Sequence, residues 1–378
     1  MAEAARPAFV VGAEVDHDEA FAEVVALAEA HRARVWAAPM SSRCCFPESH
    51  PLFAGFLPPT RTGIAEALRG SDVVLVLGAP VFTYHVESGG SALPEGAALY
   101  QLTADAGQAA WTPAGTSVVT SLRRGVLDLM EYPARHQRTA PPPRPKPAAV
   151  PAADSIGAIT PAFLMDTLAR LRPPGSVIVE EAPSSRPVMC EYLPNDEPGS
   201  FSTCASGGLG HGLPAAVGMM LARPDRRVIA VIGDGSAMYA VQALWNAARL
   251  GEAPLTVIIV ANGVYQTLYN FADRFGVGKP VGSDLPGLDF VGLAGAQGCR
   301  AERVARPEDL EAVLGRVLTE PGPPCLVEVT VTEPASSPSS SQPSSQPSFQ
   351  PSSQRTPSPP SGRITSPVIP APDSARKR

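Results

Sequence analysis

Two polar residues, Asp234 and Asn262, each lie just beyond an apolar run that has the length and composition of a buried strand. The runs are Val228 to Ile232 and Leu255 to Ala261, and a helix is predicted between them over Ser236 to Leu250. This order is typical of a β-α-β unit, in which the carboxyl ends of both strands lie at the same edge of a sheet. We therefore expect Asp234 and Asn262 to lie close together.

A carboxylate and an amide oxygen in one place suit a hard cation such as Mg²⁺, which takes further ligands from water and phosphate. The residues around Asp234 favour a phosphate as well. Gly233, Gly235 and Ser236 lie at the predicted start of the helix, where backbone N–H groups and the helix dipole attract anions. The pattern predicts a joint site for a divalent cation and a phosphate group.

An isolated Gly-Asp-Gly is usually a simple turn, but here it belongs to a longer pattern of strand, Gly-Asp-Gly-Ser, helix, strand and Asn. That pattern resembles the signature of the thiamin-diphosphate (ThDP) enzymes. The resemblance implies that Asp234, Asn262 and the main-chain carbonyl of Val264 hold Mg²⁺ against the diphosphate of the cofactor. It also implies that Ser236 contacts a phosphate.

The composition is that of a soluble globular protein long enough for two domains, with 378 residues, 44% hydrophobic and 17% charged. A formal net charge of −6 without a basic stripe argues against nucleic acid, and no apolar run approaches the ~20 residues of a membrane helix. The N-terminus lacks the features of a signal peptide, so a cytoplasmic location is expected. The six cysteines show neither a CxxC pair nor zinc spacing with histidine.

Strand-like runs alternate with helical patterns, which predicts an α/β protein with two doubly wound parallel-sheet domains. A proline-rich stretch containing PPPRPKP is expected to link the domains in an extended form. A C-terminal stretch of mainly Ser, Pro and Gln is predicted to be disordered. The predicted segments are a first domain at 1–132, the linker at 133–156, a second domain at 157–333 and the tail at 334–378.

Apolar spacing and end signals place several helices. The helix over Ser236 to Leu250 is expected to pack one apolar face on a sheet. That face consists of Met238, Val241, Leu244, Trp245 and Leu250. Thr160 and Pro161 predict the N-cap and first residue of a helix that runs to Leu171. Further predicted elements are helices over Glu19 to His31 and Leu213 to Leu221, and a polar loop after Phe271.

The second domain resembles the diphosphate-binding domain of the ThDP-dependent 2-oxo acid decarboxylases, most of all those of the benzoylformate decarboxylase type. The similarity runs from about residue 153 to 334 and rests on CASGGLGHGLPAA at 204–216, VIAVIGDGSA at 228–237 and PGLDF at 286–290. The first domain resembles the middle domain of the same family through RCCFP at 43–47 and GAPVFTYH at 78–85.

The resemblance implies roles for individual residues. His85, the last residue of GAPVFTYH, is the candidate catalytic residue, and a histidine suits a proton relay because it titrates near neutrality. The carbonyl of Gly207 and the side chain of Leu209 would place the aminopyrimidine of the cofactor. The implied cofactor-binding residues are Ser184, Gly207, Leu209, Gly233, Gly235, Ser236 and Tyr265. The implied substrate pocket consists of Thr203, Cys204, Thr267, Leu268 and Phe271.

In this family a Glu on a separate N-terminal pyrimidine-binding domain activates the cofactor. The present sequence begins where the middle domain begins, so we expect this Glu to come from another chain or from a missing N-terminus. Glu180 and Glu181 are not replacements, because they are expected to follow a strand of the diphosphate domain. The pyrimidine domain normally belongs to a second subunit, which implies a homo- or hetero-oligomer.

The leading prediction is ThDP- and Mg²⁺-dependent, non-oxidative decarboxylation of an aromatic 2-oxo acid such as benzoylformate to an aldehyde and CO₂. One alternative is a carboligase similar to acetolactate synthase, which shares these domains and usually carries FAD. Another is a ThDP-binding or regulatory subunit without turnover. The chain itself could be one half of a split enzyme, the product of a truncated gene or a decayed homologue.

Overall fold

The structure, a computed structural model, describes residues 1–84, 86, 88–135 and 137–332, excluding the side chain of Asp154. The candidate catalytic residue His85 and the predicted tail at 334–378 lie outside the described residues. Two parallel six-stranded sheets with flanking helices make up the fold, which confirms the predicted α/β class. Over the described ranges, no helix is both long and apolar enough to span a bilayer.

The first sheet is built from β1 (Pro7–Val11), β2 (Arg34–Ala37), β3 (Phe53–Phe56), β4 (Val73–Leu77), β5 (Ala98–Thr103) and β6 (Thr116–Val119). Its helices are α1 (Glu14–His17), α2 (Phe21–His31), α3 (Arg61–Ala67), α4 (Ala106–Ala110) and α5 (Leu122–Met130). The strand order is β3-β2-β1-β4-β5-β6, and neighbouring strands are parallel. Every residue of the central strand β1 is buried, as expected for a strand with helices on both faces.

The second sheet is built from β7 (Val177–Glu181), β8 (Phe201–Thr203), β9 (Val228–Gly233), β10 (Leu255–Ala261), β11 (Arg300–Val304) and β12 (Cys325–Thr330). Its helices are α6 (Pro161–Leu171), α7 (Arg186–Tyr192), α8 (Gly212–Ala222), α9 (Asp234–Ala237), α10 (Ala243–Arg249), α11 (Gln266–Arg274), α12 (Phe290–Ala296) and α13 (Pro307–Thr319). The strand order is β11-β12-β10-β9-β7-β8, again with parallel neighbours.

The order of the second sheet reverses between β7 and β9, because the chain leaves β7 for β8 on one side and then crosses to β9 on the other. Open α/β sheets bind ligands at such a reversal, in the crevice beyond the carboxyl ends of the strands. Glu181 is the last residue of β7, and Asp234 follows β9 directly. Both acidic residues therefore lie where this architecture places a binding site.

The prediction of one continuous helix over Ser236 to Leu250 is wrong, because two shorter helices, α9 and α10, occupy this stretch. The backbone bonds between them join residues three apart instead of four, and this tighter winding rotates the side chains that follow. Of the residues predicted to face the sheet, Leu244 is buried and Val241 packs partly against the core. Met238, Trp245 and Leu250 are exposed instead.

Other differences concern short or polar elements. The sequence does not predict β3, β8 or β11, because β3 and β8 are short and β11 consists mainly of polar residues, so none of them shows a recognisable apolar period. The polar loop expected after Phe271 starts later, because α11 continues to Arg274. Glu180 and Glu181 are the last two residues of β7 and do not follow it. The start of α6 is as predicted, since the Thr160 hydroxyl accepts the N–H of Phe163 at 3.2 Å.

The linker predicted at 133–156 is attached through arginines to α2, beside the first sheet, and to α7, beside the second. Apart from a 3₁₀ turn at Ala153–Ser155, its described residues form neither helix nor strand. Arg138 is only 6% exposed and donates to the carbonyl of His31 at 3.0 Å. Arg144 donates to the carbonyl of Cys190, in α7, at 3.2 Å.

The loop after β2, which carries the RCCFP motif, connects the two sheets. The backbone N–H of Glu48 donates to the carbonyl of Asn195 at 3.1 Å, and the N–H of Asn195 donates to Glu48 Oε2 at 3.1 Å. An isolated antiparallel bridge pairs Arg43 with Ser202. These bonds fix the first sheet against the edge of the second.

Glu48 should make stability depend on pH. Burial raises the pKa of its carboxyl from 4.5 to about 8, and nearby Asp196 adds to the rise. Because the folded state favours the protonated form, the free energy of unfolding falls as the pH rises through this interval. Glu48→Gln should therefore raise the free energy of unfolding by about 2 kcal/mol above about pH 8 and change it little near pH 4.

Urea unfolding of wild type and Glu48→Gln at both pH values measures this effect. Glu95→Gln, at an exposed position, is the matched control and should show no such pH dependence. A stability difference between Glu48→Gln and wild type that is the same at both pH values would contradict the prediction.

Candidate functional site

The carboxylate of Asp234 is held in a fixed orientation at the crevice between β7 and β9. The residue is 5% exposed. Its Oδ1 accepts the N–H of Gly235 at 2.8 Å, and its Oδ2 accepts the N–H of Gly263 at 2.7 Å. Burial raises the pKa of this carboxyl, and the backbone hydrogen bonds oppose the rise. A cation on the remaining lone pairs would offset the cost of burying the charge.

Asn262 reaches the same edge because β10 pairs in register with β9, with Val260 opposite Gly233. Its Oδ1 accepts the N–H of Val264 at 3.1 Å, which closes a tight turn. The intervening residue, Gly263, is the one that donates to Asp234. The structure therefore brings together the three residues that the sequence assigns to Mg²⁺.

The donors near Asp234 restrict how a metal could bind. Among the described residues, no group of three or more His, Cys, Asp and Glu side chains could hold a metal ion. A cation at Asp234 would have to take its other ligands from amide, carbonyl and phosphate oxygens. Mg²⁺ bound together with a phosphate group has this requirement.

Ser236 lies in the first turn of α9 and is 5% exposed. Within the described part of the chain, its hydroxyl has no hydrogen-bond partner. The hydroxyl oxygen is not among the buried unpaired polar atoms, so a ligand can reach it, and a phosphate oxygen would be a suitable acceptor. A free hydroxyl on the same short helix as the Asp234 carboxylate fits a bound Mg²⁺-diphosphate group.

Tyr265 packs directly on the glycine that follows Asp234. A Cβ atom at Gly235 would lie 2.3 Å from Cε1 and 2.6 Å from Cδ1 of the Tyr265 ring. The Tyr265 hydroxyl also donates to the carbonyl of Gly235 at 3.4 Å. Only glycine fits beneath this ring, so Tyr265 belongs to the wall of the site.

Glu181 organises the glycine-rich loop that carries Gly207 and Leu209. Its carboxylate accepts the N–H of Gly210 at 2.5 Å and the N–H of Gly212. Gly207 has a φ of +71°, a conformation that favours glycine. Sequence reasoning only excluded Glu181 as the activating carboxylate. The sequence could have indicated a structural role for Glu181, because an acidic residue at the end of a buried strand needs hydrogen-bond partners.

A cleft of about 690 Å³ lies between the two sheets, next to this loop. The implied site residues that line it are Thr203, Cys204, Gly207, Leu209, Thr267 and Phe271. The first sheet contributes a mainly apolar wall that includes Met40, Phe56, Leu57, Pro58, Pro59 and Val86. Leu268, which is 45% exposed, does not line the cleft, and neither do the remaining described site residues, which are Ser184, Gly233, Asp234, Gly235, Ser236, Asn262, Val264 and Tyr265.

Arg186, in the same cleft, was not identified from the sequence. It forms an ion pair with Glu180 at 3.6 Å and donates to the carbonyl of Ser41 at 3.0 Å. The hydroxyl of Thr203 donates to Glu180 Oε2 at 2.8 Å, so this hydroxyl is already engaged. A basic residue at the first position of a helix opposes the helix dipole, and this is the signal that could have indicated Arg186.

Cys204 should be the most reactive thiol of the chain. Its hydrogen bond with Ser206, with Sγ and Oγ 3.1 Å apart, lowers the thiol pKa. Burial raises the pKa of the remaining thiols, which are Cys44, Cys45, Cys190, Cys299 and Cys325. Iodoacetamide should label Cys204 at least about tenfold faster than the others at neutral pH, as measured by peptide mass spectrometry.

Ser206→Ala should slow the labelling of Cys204 and leave Cys299 unaffected. Cys190 provides the comparison within the chain, because it also lines the cleft but has a pKa raised to about 12. Equal labelling of Cys204 and Cys190 would contradict the assigned order of reactivity.

Comparison with known proteins identifies both halves of the chain. Residues 1–128 match the family model described as thiamine pyrophosphate enzyme, central domain. Residues 184–329 match the model described as thiamine pyrophosphate enzyme, C-terminal TPP binding domain. Putative acetolactate synthase IlvX of Mycobacterium tuberculosis is 33% identical over 183 residues, 46% of this chain and 35% of the relative.

Benzoylformate decarboxylase of Pseudomonas aeruginosa is 41% identical over 323 residues, 85% of this chain and 60% of the relative. The solved structure of a ThDP-dependent 4-hydroxybenzoylformate decarboxylase of Rhodococcus jostii RHA1 is 40% identical, with a TM-score of 0.83. The aligned residues make up 88% of this chain and 62% of the chain in that structure. The benzoylformate decarboxylase of Polynucleobacter necessarius gives a TM-score of 0.84 at 30% identity, with the same coverage.

This chain therefore spans about 60% of the length of the decarboxylases that it matches. The first model covers all six strands of the first sheet, and the second covers β8 to β11, most of β12 and the residues Asp234, Ser236 and Asn262. The chain belongs to the thiamin pyrophosphate enzymes, of which it carries the central domain and the C-terminal TPP-binding domain.

Proposed function

We propose that this chain supplies the metal and diphosphate half of the site of a ThDP-dependent decarboxylase. The observation that carries the proposal is the fixed Asp234 carboxylate beside the unpartnered Ser236 hydroxyl, at the sheet crevice. Asp234, Asn262 and the carbonyl of Val264 would hold Mg²⁺. Ser236 would donate to the diphosphate.

When bound, ThDP would accept the electron pair that CO₂ leaves behind. The residues of this chain would hold it in place and exclude water. Gly207 would offer its carbonyl to the aminopyrimidine, and Leu209 would support the bent cofactor from the cleft. The further contacts that we propose are those of Ser184, Gly233, Gly235 and Tyr265.

The proposed reaction is non-oxidative decarboxylation of an aromatic 2-oxo acid to an aldehyde and CO₂. The apolar wall of the cleft supports this substrate class, because Phe56, Leu57 and Phe271 could contact an aromatic ring. The substrates in the names of the decarboxylases, benzoylformate and 4-hydroxybenzoylformate, have the same character. We retain His85 as the proposed proton relay, and its described neighbour Val86 lines the cleft.

The activating Glu is proposed to come from a pyrimidine-binding domain outside this sequence. That domain could belong to another chain or to another part of a longer protein, and the active form would be an oligomer in the cytoplasm. We retain the domain limits 1–132 and 157–333, with the linker between them. The carboligase alternative is less favoured, because the acetolactate synthase match covers a smaller part of the chain.

Benzaldehyde release from benzoylformate, with ThDP and Mg²⁺ present, tests the proposal. We expect no product from the chain alone and product after addition of the N-terminal domain of a benzoylformate decarboxylase. Acetolactate formed from pyruvate would instead favour the carboligase. ThDP binding without any product in the presence of the added domain would favour a non-catalytic subunit.

A further inference from the structure

A second cavity, of about 540 Å³, lies at the edge of the first sheet that is remote from the cleft. Its lining includes Pro7 at the start of β1, Arg34 at the start of β2 and Gly70 shortly before β4. The cleft, in contrast, is lined by residues beyond the carboxyl ends of β2 and β3. Strands of this length separate the two edges by about 15 Å. The second cavity is therefore distinct from the candidate ThDP site.

The lining of this cavity is rich in positive charge. Its arginines are Arg6, Arg32, Arg34, Arg69 and Arg138. Two carboxylates lie near them: Glu66, which forms an ion pair with Arg69, and Asp72, which accepts two backbone N–H groups. His31 adds no charge at neutral pH, because burial and Arg138 lower its pKa to about 4. This excess of cations occurs in a chain whose formal net charge is −6.

Among the five arginines that line the cavity, Arg34 uses its donors least. Its Nε is buried and has no hydrogen-bond partner. Its guanidinium carbon lies 5.6 Å from the ring centroid of Trp36, and it forms no ion pair with any residue that the structure describes. The two terminal nitrogens of Arg34 make no hydrogen bond with the described residues and are not buried, so they are the donors that a ligand in the cavity would engage.

The other arginines form a partly fixed frame around this group. Arg138 is held by the carbonyls of Ala4 at 2.8 Å and His31 at 3.0 Å. Arg6 uses Nε for the carbonyl of Gly70 at 2.5 Å. A guanidinium carries five N–H donors, so Arg6 keeps most of its donors for a ligand.

We propose that this arginine cavity binds a small ligand with several phosphate charges, such as a nucleoside di- or triphosphate. Guanidinium groups match phosphate oxygens in pairs, and several of them together favour a multiply charged ligand. The volume lies within the range of small-molecule sites and exceeds what a single phosphate needs. Pro141 and Pro142 supply apolar surface for the remainder of the ligand.

Calorimetric titration of the full chain with ATP, in EDTA to remove metal, tests this proposal. Binding should weaken at least about tenfold in Arg34→Gln and also fall as salt is raised. Arg69→Gln is a second variant that keeps the test valid if Arg34→Gln fails to fold, because the Arg69 side chain is 74% exposed. Arg316→Gln, which removes an arginine of α13 that does not line the cavity, is the matched control and should bind as wild type.

Two further arms separate this site from the proposed function. Asp234→Asn should leave ATP binding unchanged, because Asp234 does not line this cavity. ATP binding therefore tests the arginine cavity independently of the ThDP proposal. Inorganic diphosphate that binds as tightly as ATP would assign recognition to the phosphates, and weaker binding would add a nucleoside contact. No detectable ATP binding, equal losses in Arg34→Gln and Arg316→Gln, or binding only of an acidic peptide would overturn the proposal.

Discussion

Asp234→Asn is expected to weaken Mg²⁺-dependent binding of ThDP by at least about 100-fold, which corresponds to about 2.7 kcal/mol. Asp234 supplies the only charged oxygen among the three proposed metal ligands, so the amide removes the main attraction for the cation. An amide also has one oxygen where the carboxylate has two. Either Gly235 or Gly263 then loses its acceptor, and the loop that carries Asn262 is less firmly held.

Titration of ThDP at fixed Mg²⁺, followed by calorimetry, measures this loss. Asp225→Asn removes the same charge from an exposed loop and should bind as wild type. Since burial raises the pKa of Asp234, wild-type affinity should fall on acidification at a higher pH than for an ordinary aspartate. Wild-type affinity in Asp234→Asn, with Mg²⁺ still required, would remove Asp234 from the metal site.

The sequence predicts best the parts of the fold that depend on long apolar runs. The runs that became β9 and β10 are buried on both faces, and their ends carry Asp234 and Asn262. Parallel pairing then brings the two ends together without further information. The break between α9 and α10 could not be predicted in this way, because it depends on tight turn bonds rather than on apolar spacing.

The sequence predicts least well the groups that are assembled from distant segments. The arginine cavity is formed by residues far apart in the sequence. Arg6 precedes β1, Arg34 begins β2, Arg69 lies between α3 and β4, and Arg138 belongs to the linker. Nothing in the spacing of these residues indicates that they meet. The anchoring of the glycine-rich loop by Glu181 likewise links residues on β7 and at the start of α8. Side-chain contacts of this kind follow from the strand order, which local patterns do not specify.

Gly235→Ala is expected to have the second large effect, because the new methyl group would lie 2.3 Å from the ring of Tyr265. Real Cβ atoms do not approach so closely, so the ring or α9 must move. Overpacking of this kind costs about 1–3 kcal/mol of stability. Movement of α9 would also displace Asp234 and Ser236, so we expect ThDP affinity to fall about tenfold or more.

Gly218→Ala in α8 is the matched control, because an added Cβ there meets no atom within 4 Å. This change should stabilise the protein by about 0.5–1 kcal/mol, since alanine is the better helix former. Urea unfolding and ThDP titration of both variants give the comparison. If the Gly235→Ala variant kept wild-type stability and ThDP affinity, the prediction would be contradicted, and the site would tolerate movement of Tyr265.

The cause of the damage can be isolated by removing the ring. If the clash with Tyr265 is responsible, Gly235→Ala should cost much less stability in a Tyr265→Ala background than in wild type. The four proteins form a double-mutant cycle, and a coupling energy of about 1 kcal/mol or more is expected for residues in such close contact. Additive losses would mean that the glycine is required for a reason other than Tyr265, such as direct approach of the diphosphate to its backbone. The cycle therefore separates a packing role of Gly235 from a binding role.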